Sequence, residues 1–199
     1  MFATAAAVAA FAASASALLL NATDIQGSTF NSPYNGQTVN VTGIVTAKGS
    51  QGWYIQSGPT DDERTSSGLK IFTTSTTTQA LVKVGDLITL TGKISEYRSD
   101  PAYLTVTELT SPSNIVVVSA GNTVAPITLG KDRSPPTAKY TALDTPGFLS
   151  VPNNVSLVQA STANLEPAKY GLDFWESLEG MLVTIPKPVA LQFENQYGL

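Results

Sequence analysis

Tyr54, Lys70 and Phe72 are the side chains whose types and spacing first invite a chemical reading. They lie in two short runs rich in apolar and β-branched residues, Trp53-Tyr-Ile-Gln56 and Leu69-Lys-Ile-Phe72. Every second side chain of a strand faces the same way. Ile55 and Ile71 are therefore expected inward, which leaves Tyr54, Gln56, Lys70 and Phe72 outward. Lys48, Arg98 and Tyr103 are expected to flank this face from adjoining loops. Rings beside cations suit a nucleic acid, single-stranded or duplex, because exposed bases stack at about 1–3 kcal/mol each while Lys and Arg meet phosphates. The competing reading is that the rings pack beneath a later segment and the cations are ordinary surface charges.

Other chemistry is restricted by what the chain lacks. Its 199 residues contain no His and no Cys. That excludes imidazole bases, His-ligated metals, thiol nucleophiles and disulfides within this sequence. Eleven Lys and Arg against 15 Asp and Glu give a net charge of −4, a poor balance for a surface that grips phosphate. Asp61-Asp62-Glu63 offers carboxylates for a hard cation but lacks the spaced ligands of a calcium loop, and Arg64 follows at once. A solvated loop tip is expected there. Gly85 and Gly92-Lys93 do not have phosphate-loop spacing and lie in a strand pattern. Glu176 and Glu179, three apart beside Trp175, read as surface positions on a short turn. No catalytic residue, metal ligand or cofactor is expected in this chain.

The elements that must carry the Tyr54 face follow a period of two. In Val39-Asn-Val-Thr-Gly-Ile-Val-Thr-Ala47, Val39, Val41 and Val45 point one way and Asn40, Thr42 and Thr46 the other. Gly49-Ser-Gln-Gly52 is turn chemistry. Val82 to Asp86 turns the chain into Leu87–Ile94, where Ile88, Leu90 and Ile94 share a face and Gly92 permits a sharp bend. Tyr97 to Ala102 is a loop, Tyr103–Leu109 another strand, and Ile115–Val118 the last of the series. Five or six short strands without a long helix predict a small all-β barrel or sandwich.

Residues 1–17 read as a signal peptide, with a small-residue cleavage pattern in the Ala-Ser-Ala that ends at Ala17. Secretion is expected, with no stable membrane association after cleavage. Asn21, Asn40 and Asn154 open acceptor sequons for glycosylation. The β-rich domain is placed at 18–118. Residues 119–177, punctuated by six prolines, read as an ordered connector crossing a surface. Leu178–Ile185 repeats the opening pattern of the first strand, so 178–199 is expected to begin a second β-domain that continues in a longer protein.

A resemblance sharpens these expectations. Ile25-Gln-Gly27, Ser32-Pro33, Gly36 to Val39 and Val41 to Ala47 resemble the start of the OB-like domain of secreted nucleases. In these proteins it precedes a catalytic domain of the endonuclease/exonuclease/phosphatase family. Val84-Gly-Asp86, Leu90-Thr-Gly92 and Glu96-Tyr97 are similar to that domain's fourth-strand region. Leu172 to Val183 resembles its passage into the next β-domain. Tyr170 to Glu176 and Asn153 to Ser156 are similar to the fungal secreted branch. The resemblance implies an OB-like barrel, a Pro/Gly-rich connector and the first strand of a second β-domain. It also implies a non-catalytic amino-terminal part of a nuclease, contacting nucleic acid or supporting a downstream catalytic domain. A divalent metal, Mg²⁺, is expected only in that downstream domain. The alternative is a structural or carbohydrate-contacting secreted β-module.

Overall fold

A strand buries one face and pairs both edges only if its neighbours close around it. The computed structural model describes residues 18–141, 160 and 162–189. Asn154 and residues 1–17, read from sequence as a signal peptide, lie outside the described residues. Among the described residues strand predominates over helix, and the helices are short. β1 (Leu19–Asn21) runs into α1 (Ala22–Gln26). Then come β2 (Thr38–Gly49), β3 (Gly52–Gln56) and β4 (Gly68–Phe72). After α2 (Thr76–Gln79) follow β5 (Leu87–Tyr97) and β6 (Val106–Ser119). β7 (Ile127–Thr128), α3 (Gly171–Glu176) and β8 (Val183–Thr184) complete the described elements.

The pairings run in a ring. β2 pairs antiparallel with β3, β3 with β4, β4 parallel with β6, and β6 antiparallel with β5. β5 returns to β2 over Thr38–Ile44. β2 belongs to both ends of this circuit because it changes partner near Ile44, and a register shift between Val45 and Ala47 bends it there. β1 adds a parallel edge at Asn40–Thr42.

The expected alternation is realised inside the ring. Val39, Val41, Val45, Ile55, Ile71, Ile88, Leu90 and Ile94 are all buried with Trp53, Leu69 and Leu109. Gly92 is needed at the bend of β5. A Cβ there would stand 2.1 Å from Leu109 Cδ2 and 2.8 Å from the Thr110 carbonyl oxygen. A second small cluster, Phe30 and Leu165 with Leu104 and Leu172, fixes part of the expected connector against the ring's flank. The Leu165 amide donates to the Ser28 carbonyl at 2.8 Å.

Three expectations change. Tyr103–Leu109 and Ile115–Val118 belong to one long strand, β6, which starts at Val106 and leaves Tyr103 in a turn. Ser111 and Asn114 take positive φ around Pro112, and the β5–β6 register shifts let the strand absorb them. The strand expected over Leu178–Ile185 reduces to β8. Gly180 at φ 69 and the turn from Ser177 interrupt the pattern. β8 pairs parallel with β7, which lies inside the expected connector.

Filling the Gly92 position forces Leu109 or the Thr110 backbone to move. Gly92→Ala is expected to destabilise the ring by about 1–3 kcal/mol in urea denaturation. An unchanged midpoint would show that β5 does not pass that close to Leu109.

Candidate functional site

β3 and β4 present the expected outward face, and the structure divides it into two halves. Tyr54 and Lys70 are cross-strand neighbours, as are Gly52 and Phe72. Tyr54 is exposed, and Lys70 and Phe72 are half-buried. Gln56, expected outward, is buried because its Oε1 accepts from the Leu182 amide at 2.9 Å. That half of the face is covered by the chain's own residues 177–182. The Ser66 hydroxyl donates to the Glu179 carbonyl at 2.6 Å. The Gly68 and Gly180 backbones approach so closely that a Cβ on Gly68 would stand 2.3 Å from the Gly180 carbonyl carbon.

The uncovered half is a shallow cleft of about 230 Å³ lined by Gly49 to Tyr54 and by Lys70. Lys70 Nζ lies 3.0 Å from Glu108 Oε2. The contact is a largely buried ion pair. The same ammonium sits 5.6 Å from the Phe72 ring centroid and 5.8 Å from that of Tyr97. Cation–π attraction and the Glu108 carboxylate hold it in place.

The remaining candidates do not converge on the cleft as a basic surface. Lys48 Nζ donates to the Gln79 and Val82 carbonyls, both at 2.6 Å, and so fastens the end of α2. Arg98 Nη1 donates to the Pro101 carbonyl within its own loop, and Tyr103 is exposed on the same loop. Asp62 and Arg64 pair at 2.7 Å on an exposed loop, and the hydrogen bonds from Arg64 lower the Asp62 carboxyl to about 2. That is the solvated tip expected from sequence. Asn21 is exposed at the start of α1, and its amide donates to the Asp24 carboxylate. Asn40 is half-buried on β2, its Oδ1 accepting from the Thr91 hydroxyl at 2.7 Å.

A group that sequence reasoning placed on the surface lies where the segment meets the ring. Glu179 Oε1 accepts from Gln26 Nε2 of α1 at 3.2 Å and from the Thr107 amide of β6 at 3.0 Å. The Thr107 hydroxyl donates to Glu96 Oε1 of β5 at 3.0 Å, and the Ser32 amide donates to the same oxygen at 2.7 Å. Thr107 thus joins two carboxyl groups from opposite sides of the junction. Burial pushes Glu179 up to about 7; Glu96 adds to the rise, while bonds from Gln26 and Thr107 and the charge of Lys70 oppose it. Burial raises Glu176 well above the usual carboxyl range, and the charges of Glu179, Glu96 and Asp173 add to it. Burial also raises Asp173, against the hydrogen bond that it accepts from the Glu166 amide. The three-residue spacing of Glu176 and Glu179 carried the signal; Glu96, its counterpart, is too distant in sequence to be paired with it by inspection.

Among the described residues no group of three or more acidic side chains is arranged to hold a metal ion. No described helix is long and apolar enough to cross a membrane. A family model described as a domain of unknown function (DUF8508) matches residues 128–199. That stretch includes the docked segment and excludes the strand ring. No curated protein and no solved structure matches the chain.

Glu108 is buried and Lys70 is its ion-pair partner, so removing the cation alone leaves a charge without compensation. Lys70→Met is expected to cost about 3–5 kcal/mol in urea denaturation, and Lys70→Met with Glu108→Leu to recover most of it. Equal losses in the single and double variants would contradict the pairing.

Proposed function

We propose that this chain is a non-catalytic, OB-like β-barrel module whose β3–β4 face serves mainly to dock a following segment. The ring order β2-β3-β4-β6-β5, closed by β5 on β2 with β4 parallel to β6, supports the barrel reading. More particularly, we read it as the amino-terminal part of a secreted nuclease of the endonuclease/exonuclease/phosphatase type, where it supports the catalytic domain. The sequence resemblance motivates the parent's identity.

One observation favours support over nucleic-acid capture. Residues 177–182 occupy half of the face on which such a barrel presents ligands, and the cations nearest that face already have partners in Glu108 and in the end of α2. A polyanion approaching the cleft would meet Lys70 already neutralised, with Glu108 beneath it. Stacking on Tyr54 alone supplies little without phosphate contacts.

Fluorescence anisotropy with labelled single-stranded and duplex oligonucleotides tests the reading. At physiological salt no saturation is expected below about 10⁻⁴ M protein, the weak end of non-specific binding. With Mg²⁺ present the oligonucleotides are expected to stay intact. Salt-sensitive binding that disappears in Tyr54→Ala would make the chain a nucleic-acid reader instead. Turnover that co-purifies with the chain would make it an enzyme.

A further inference from the structure

We infer that residues 165–182 form a proton-dependent strap: a proton at the junction where Thr107 gathers the Glu179 and Glu96 carboxyl groups holds the segment on the ring, and its loss lets the segment lift from the β3–β4 face. This inference is independent of the nuclease reading, since it concerns only the junction within the chain.

The geometry begins with Thr107, buried on β6, which donates from its amide to Glu179 and from its hydroxyl to Glu96. Two carboxyl groups are therefore gathered by one residue. Glu96 Oε2 is buried and has no hydrogen-bond partner among the described residues, although Oε1 has two. Asp173, a buried residue whose charge acts on Glu176, also has one oxygen, Oδ1, without a partner among the described residues. Unpaired carboxylate oxygens beside other carboxylates repel, whereas a proton on one carboxyl turns an acceptor into a donor and joins the pair.

The charges around the junction do not remove this requirement. From the ring it faces Glu96 on β5, Glu108 on β6 and Lys70 on β4, and Lys70 is paired with Glu108. From the segment it faces Asp173, Glu176 and Glu179, with Glu166 bonded to Lys169 nearby. Arg133 donates to the Ser177 hydroxyl at 2.9 Å and lies 5.1 Å from the Phe174 ring centroid. It thus anchors the segment through Ser177 and Phe174. Gln26 of α1 contributes only a neutral amide.

The direction with pH follows from linkage. Docking raises Glu179 from an ordinary 4.5 to about 7, so the docked state holds more protons than the released one between those values. Docking is strongest below that window, weakens by up to about tenfold per pH unit for each proton involved, and loses the whole contribution above about pH 7. Glu176, shifted in the same direction, steepens the change. Release uncovers Gln56 and Ser66 to Gly68.

Amide hydrogen exchange of the whole chain tests this, after correction for the intrinsic pH dependence of exchange. Leu182, whose amide is bonded to Gln56, reports docking directly, and Val41 and Ile88 report the ring. Between about pH 5 and about pH 8 the protection of residues 177–182 is expected to fall at least tenfold, while Val41 and Ile88 keep theirs. Glu176→Gln with Glu179→Gln is expected to keep the segment protected at both values. Glu96→Gln, which leaves the segment untouched, is expected to make the fall in protection shallower if the double variant does not fold, because Glu96 adds to the rise of Glu179 that burial causes. Equal protection of wild-type residues 177–182 at both pH values, or an undiminished slope in the folded Gln variants, would overturn the strap. Restoration of protection at high pH by millimolar Ca²⁺ would also overturn it, in favour of a cation in place of the protons.

Discussion

The exchange of partners along β2 is the constraint on which the remaining structure depends. Its first half pairs with β5 and its second with β3, and the bend after Ile44 lets one strand serve both. Without that bend the sheet would end in two open edges and the Val39–Val45 face would lose its lid. The ring in turn sets β3 beside β4, and so sets Tyr54 against Lys70 and brings Gln56 to the edge that Leu182 meets. Gly92 plays the corresponding part in β5, giving the space in which Leu109 crosses.

The docked segment rests on different physics from the ring. Its contacts are largely polar: an amide on Gln56, a carbonyl on Ser66, a carboxyl on Gln26 and Thr107. Apolar burial is confined to Leu165, Phe174, Leu178 and their neighbours. Polar junctions gain little net free energy from each bond and are costly when a buried member loses its partner. The ring's core, by contrast, is built from its own residues between Leu20 and Leu109. This difference separates a stable scaffold from an attachment whose strength depends on protonation.

Local alternation made much of the ring legible before any coordinates. Val39, Val41 and Val45, then Ile88, Leu90 and Ile94, face inward as a period of two requires, and Gly92 marks its bend. What could not be read was set by distant partners. Gln56 alternates as an outward residue, yet Leu182 buries it. Lys48 carries the charge of a ligand contact but spends it on the carbonyls ending α2. Glu176 and Glu179 look solvated until Glu96 and Thr107 arrive from other strands. Tyr103–Leu109 and Ile115–Val118 read as separate strands, whereas β6 joins them through shifted register. The pairing of β8 with β7 likewise joins two stretches that the proline pattern had assigned to different regions.

The parting of ring and segment along the chain has a further meaning during synthesis. A ribosome releases Leu19 to Ser119 before Glu179 exists, so the strands can close while Gln26 and Thr107 still await their carboxyl partner. At ordinary translation speeds that interval is on the order of seconds, longer than many small β-domains need to fold. The nascent protein therefore passes through a form with its β3–β4 face bare, available to a chaperone or to another nascent chain until residues 177–182 arrive to claim it.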